Sequence, residues 1–214
     1  MKKVFVLALM ALSLTAMAQR VTPLTVEVYE PRLDSIRALY AADPQTFLTT
    51  LYSVQKAMDE NARELKDARN VLKQEQTHAK EKDSYLKDFA RTVESINKLY
   101  DKEEEEYKSM QKSIEKQQRS LAKLTDLNRE SREYYQHLLE KEQKELGYGI
   151  REVAERKRTI SDLGTDIQSE QTRLQNFVIS LEQKASTLDQ LDALWRTRND
   201  QLKAEIKYAK SLKK

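Results

Sequence analysis

The chain has 214 residues, 34% of them charged, with only three glycines and three prolines. That composition excludes a turn-rich globular core and fits long helices. There is no cysteine, so disulfide staples and thiolate chemistry are excluded, and 38 basic against 35 acidic side chains leave a formal charge of only +3.

The first element is expected to be a signal peptide over 1–18. Lys2 and Lys3 form a positive start, and Val4 to Ala16 is a largely apolar run of thirteen residues. That run is shorter than the roughly 18–20 residues needed to span a bilayer. Ala16-Met17-Ala18 gives the small-x-small pattern of a cleavage site, placing the cut before Gln19. No cysteine stands there for lipid attachment. The expected destination is the bacterial periplasm. Losing Lys2 and Lys3 takes the 38 basic residues to 36 against 35 acidic, a net of +1. The nominally basic pI therefore gives no argument for nucleic acid, and no membrane contact is expected after cleavage.

Residues 19–30 follow as an extended N-terminal arm. Leu24, Val26 and Val28 alternate with Thr25, Glu27 and Tyr29, a period of two. With no second strand in sight, the segment reads as a flexible mature N-terminus or as a strand offered to a partner's sheet edge. Residues 31–60 form a small helical docking region. Pro31 to Ala42 is a short helix with Leu33, Ile36, Leu39 and Tyr40 on one face, and Asp43-Pro44 restarts the chain with a good N-cap and first-turn residue. Phe47, Leu48, Leu51, Tyr52 and Val54 give the short helix an apolar patch to fold back on.

A long coiled-coil helix is expected over 45–146. Apolar residues recur every seven positions at Leu51, Met58, Leu65, Leu72, Ala79, Leu86, Val93, Tyr100, Tyr107, Ile114 and Leu121, then Asn128 and Tyr135. A seven-residue repeat keeps one stripe facing a partner along a supercoiled helix. The second seam position (Val54, Asn61, Ala68, Glu75 and onward to Met110, Gln117, Leu124) is apolar only in part, and the seam is thin at 73–83 and 101–106. The acidic run 101–106 reads as a solvated, locally loosened stretch. Asn128 reads equally as a register-fixing polar residue or as a weak point.

A second stripe, Leu146, Val153, Ile160, Ile167, Leu174, Leu181, Leu188, Trp195, Leu202 and Ala209, lies four residues out of phase with the first. It defines a second coiled-coil helix over 150–214. A four-residue slip is either a stutter or a turn. Gly147 and Gly149 sit at the slip, so the turn is expected there, laying Leu121 near Leu174, Ile114 near Leu181 and Tyr100 near Trp195. Gly164, followed by Thr165 and Gln168, is a rival break. The fold class is all-α: an elongated coiled coil, folded as a long antiparallel helical hairpin with a short N-terminal helix.

No cofactor, metal or catalytic site is expected. His78 and His137, the two histidines, lie far apart, and the sequence holds no phosphate loop, nucleophile elbow or zinc-binding helix motif. Carboxylates on open helix faces lack the pocket that would separate their pKa values. Tyr134-Tyr135 beside Leu138-Leu139 widens the apolar face, as would suit a third helix.

A signal peptide followed by charged coiled-coil arms is similar in architecture to the periplasmic Skp/OmpH-type chaperones and to the coiled-coil region of EnvC-type activators of cell-wall hydrolases. The first family's trimerising sheet body could start only at Leu24–Tyr29. The expected role is a non-enzymatic scaffold or adaptor of the cell envelope that binds protein partners helix to helix, with a holdase chaperone as the alternative. A homo-oligomer, dimer or trimer, is expected, because a lone hairpin with polar seam residues is marginal.

Overall fold

The computed structural model describes residues 22–212; the expected signal peptide and its cleavage site at Ala16, Ala18 and Gln19 lie outside them. The fold is all-α, with a short helix α1 (Leu33–Tyr40) and two long ones, α2 (Pro44–Lys123) and α3 (Arg129–Ser211). The long helices pair as an antiparallel hairpin. The described chain divides into two compact units, a turn unit of residues 83–172 and an arm-bearing unit of residues 22–82 and 173–212.

In the turn unit the chain reverses at 124–128, not at Gly147–Gly149. Both glycines, and Gly164 as well, lie inside α3, which is continuous over 83 residues. The capping chemistry explains the placement. Asn128 Oδ1 accepts the backbone N–H of Ser131 at 2.8 Å, so Asn128 is the N-cap of α3 rather than a seam residue. Arg132 reaches back to donate to the Leu124 carbonyl at 2.6 Å, filling an acceptor freed where α2 ends. Thr165, the candidate cap of the rival break, instead donates its hydroxyl to the Ser161 carbonyl one turn earlier. The expected neighbours change accordingly. Leu121 and Ile114 are buried with Leu139 and Leu146, not beside Leu174 and Leu181.

The thin acidic stretch of this unit is an intact helix tied across the pair. Lys157 on α3 meets Asp101 at 2.7 Å and Glu104 at 2.6 Å. The loosening expected at 101–106 is therefore replaced by cross-helix ion pairs.

In the arm-bearing unit Phe47, Leu51, Val54 and Met58 of α2 bury against Leu202, Ile206 and Ala209 of α3. Helix α1 closes this core with Leu33, Ile36 and Tyr40. Asp43 caps α2, its Oδ1 accepting the N–H of Gln45 and Thr46 and its Oδ2 the Thr46 hydroxyl at 2.6 Å. The Thr46 hydrogen bonds hold the Asp43 carboxyl below its ordinary value. Trp195 donates its indole N–H to the Met58 carbonyl at 3.0 Å, so it pairs with Met58 and not with Tyr100.

Residues 22–30 run extended and antiparallel to α2. Thr22 N–H donates to Glu75 at 2.9 Å, Tyr29 N–H donates to Asn61 Oδ1 at 3.0 Å, and Asn61 returns a bond to the Glu27 carbonyl at 2.7 Å. Arg198 of α3 donates to the carbonyls of Val28 and Tyr29. Seven extended steps of ~3.3 Å match fourteen helical rises of ~1.5 Å, so the arm keeps pace with α2 between its two anchors. Leu24, Val26 and Val28 are half-buried while Thr25, Glu27 and Tyr29 are exposed. The period of two is thus spent against helices, and among the described residues there is no β-strand.

A Cβ on Gly147 or Gly164 would meet nothing within 4 Å. A mid-helix glycine costs about 1 kcal/mol relative to alanine. Gly147→Ala and Gly164→Ala should therefore each raise unfolding free energy by about 1 kcal/mol in urea titrations, whereas Asn128→Ala should lower it by about 1 kcal/mol. A loss of stability on Gly147→Ala would place a turn there.

Candidate functional site

The coiled-coil seam is the frame on which any site must be built. Leu51, Met58, Leu65, Leu174, Leu181, Leu188 and Leu202 are buried in the arm-bearing unit or its half of α3, and Leu86, Val93, Ile114 and Leu121 in the turn unit. Trp195 is half-buried. The buried side chains among these are packed in the seam that holds α2 to α3.

The second seam position decides what remains open. In the arm-bearing unit it is covered by the chain itself: Val54 lies in the core that α1 closes, and Asn61 is buried under the arm. In the expected docking region 31–60, Phe47, Leu51, Val54 and Met58 are thus buried, while Leu39 and Tyr52 stay exposed. In the turn unit the same position passes from buried Phe89 to Met110, Gln117 and Leu124, all exposed. Met110 is 55% exposed and Leu124 49%.

These residues wall a groove between the ends of α2 and α3. Its outer part has a volume of about 750 Å³ and is lined on one side by Lys116, Leu121 and Leu124 and on the other by Tyr135, Leu138 and Leu139. An inner part of about 410 Å³ continues past Tyr107 and Met110, with Glu142 and Glu145 on the α3 side. The two parts share Ser113, Gln117 and Glu142, so the groove is continuous. Tyr134 stands edge-on to Tyr135, ring centroids 5.6 Å apart, and is 65% exposed.

Gly149 shapes the inner end. A Cβ there would lie 2.8 Å from Tyr107 Cζ, so the missing side chain is what lets the tyrosine ring lie against α3. Gly149 therefore serves close packing of an aromatic ring, not chain reversal. Gln118 donates to Gln143 at 3.1 Å across the helix pair.

The electrostatics are one-sided on each wall. Lys116 is the charged lining residue of α2, and Glu142 and Glu145 are those of α3. Beyond the inner end, hydrogen bonds from Lys108 and then Lys157 draw the Glu104 carboxyl down to about 2 from an ordinary 4.5. Asp101 and Glu104 in turn raise the Lys157 ammonium above its ordinary value. The arrangement offers an apolar trough with charged lips, a shape that can take a helix face. Among the described residues no three His, Asp or Glu side chains converge in a way that could hold a metal ion. No helix among them is long and apolar enough to cross a membrane. No protein family, curated protein or solved structure matches the chain.

The open groove was partly legible beforehand. The doublets Tyr134-Tyr135 and Leu138-Leu139 marked a widened apolar face. What periodicity concealed was that Leu124 and Leu138 oppose each other across a turn.

Because Glu104 has a lowered carboxyl pKa, its contribution to stability is present above pH 4.5 and is lost as pH falls towards about 2. Thermal midpoints followed by circular dichroism should fall across that window in the parent chain. Lys157→Met should flatten the fall, since Lys108 alone then holds the carboxylate. Parallel curves for the two chains would show that the cross-helix pair does not shift Glu104.

Proposed function

We propose that this chain is an exported, non-enzymatic coiled-coil scaffold or adaptor of the bacterial cell envelope, acting in the periplasm by taking a partner helix into the groove beside the hairpin turn. The observation that carries this reading is the exposed apolar trough formed by Met110, Leu124, Tyr135 and Leu138. Large apolar side chains held open in one continuous groove are costly to solvate and mark an interaction surface. An amphipathic helix with apolar residues at three- and four-residue spacing is the natural ligand for such a trough. The expected signal peptide supplies the export half of the reading.

The test is photo-crosslinking from a probe residue at Tyr135 in native cells, with mass spectrometry of the attached proteins. One or two stoichiometric envelope proteins support the adaptor. A broad, substoichiometric set of outer-membrane proteins overturns it in favour of a holdase, whose clients would use the exposed tyrosines. A probe at Tyr29, which lies on the arm, should capture neither.

A further inference from the structure

We infer that the helix taken into the turn groove is basic along one flank, its Lys or Arg side chains meeting Glu142 and Glu145 of α3 while its apolar face lies along the end of the groove nearer the turn. The inference rests on the docking reading above and names the chemistry of the partner.

The groove is graded along its length. At the turn end its lining is mostly apolar, with Leu121, Leu124 and Leu127 facing Tyr135, Leu138 and Leu139. Further in, the charged lining residues are Glu142 and Glu145, and no cation stands with them in that part. From Leu124 back to Met110 the groove follows α2 for ~21 Å, about four helical turns. An occupant helix of that length can lay an apolar stripe at one end and present charge at the other. Ser113 and Ser120, on the α2 wall, are short, which leaves room for a helix seated between the walls.

The two carboxylates are placed to be met from outside. They stand three residues apart, so like charges share one face of α3, and both side chains are exposed. Neither forms an ion pair with a Lys or Arg among the described residues. Lys141 and Lys144 adjoin them in sequence but do not line the groove, because residues one apart point to different sides of a helix. A cation brought in by an occupant would relieve the repulsion, and beside the apolar lining it would be less screened than in open water. Lys116 on the opposite wall disfavours an occupant that is basic on both flanks. The cations therefore belong on the flank that faces α3, which also fixes how the helix is turned in the groove.

The test is selection from a displayed library of alanine-rich helices of about 18 residues. Leucines are fixed at three- and four-residue spacing, and the positions on both flanks are randomised between Lys and Glu. The bait is the full chain without the expected signal peptide. Retained clones should favour Lys over Glu on one flank by about tenfold. Glu142→Gln with Glu145→Gln should bring that ratio to about one, and Glu142→Lys with Glu145→Lys should reverse it. Far-UV circular dichroism checks that both variants keep the helicity of the parent. Leu124→Glu with Leu138→Glu sets the background, since it spoils the trough for either charge. Clones retained above that background without a charge preference, or with one that both changes leave untouched, overturn the inference and leave the docking reading standing. If the parent chain retains no clone above background, the docking reading falls with it.

Discussion

Everything in this molecule depends on two heptad stripes being made to face each other. Ile114 lies with Leu146 in one core and Met58 with Leu202 in the other. The position numbers of both pairs are centred on the same point, near residue 130. A heptad stripe is worth little on an isolated helix, because its apolar face stays wet; its stabilisation appears only when an opposing stripe removes that surface from water. Folding back near 130 pairs helices of 80 and 83 residues, so neither is left with an unpaired stripe. A turn at 147–149 would have set a helix of 45–146 against one of 150–214 and left the first part of the upstream stripe bare.

Once the seam is closed, the flanking positions determine what else can bind. A two-helix pair covers only one side of each helix, and the residues beside the seam need a third layer. In the arm-bearing unit that layer is residues 22–40. The arm's alternating Leu24, Val26 and Val28 and the face of α1 supply apolar contact, while Asn61 and Arg198 satisfy the arm's backbone groups. An extended arm lacks a ladder partner, so its carbonyls and N–H groups must be met by side chains, and these polar residues meet several of them. Lys184, which is buried, and Glu75, which is half-buried, form an ion pair at 2.8 Å in the same unit, and Glu75 also receives the Thr22 N–H. Burial raises the Glu75 carboxyl, but the hydrogen bonds from Lys184 and Thr22 together outweigh it and the carboxyl sits below its ordinary value. In the turn unit the flanking residues Met110, Leu124, Tyr135 and Leu138 stay exposed among the described residues.

The helical class, both stripes and the fold-back of α1 onto the Phe47 patch were legible in the sequence. The position of the turn was not, for a definite reason. Seam layers recur about every 3.5 residues, so fold-back centres spaced by that interval, including one at Gly147–Gly149, satisfy the two stripes equally. Periodicity fixes the phase and leaves the centre free. The choice falls to short-range chemistry: Thr125-Asp126-Leu127-Asn128 brings turn residues to a residue whose side chain caps α3, and Asn128 also falls on the seven-residue count, which hides it in the stripe. The glycines misled because glycine weakens a helix without ending it, and Gly149 serves the Tyr107 ring instead. The arm was legible as period two but not as docked, since Asn61 and Arg198 announce nothing until α2 and α3 are paired.

The measurement that bears most directly on this account is the distance between spin labels carried by Gln118→Cys and Gln143→Cys, in a chain that has no cysteine of its own. The tips of the two glutamine side chains meet across the helix pair at 3.1 Å. Labels there should lie within about two interhelical spacings, ~20 Å, in the native protein. A separation of about 37 Å, the rise of 25 residues along one unbroken helix, would put the turn at the glycines and remove the groove on which the functional reading stands.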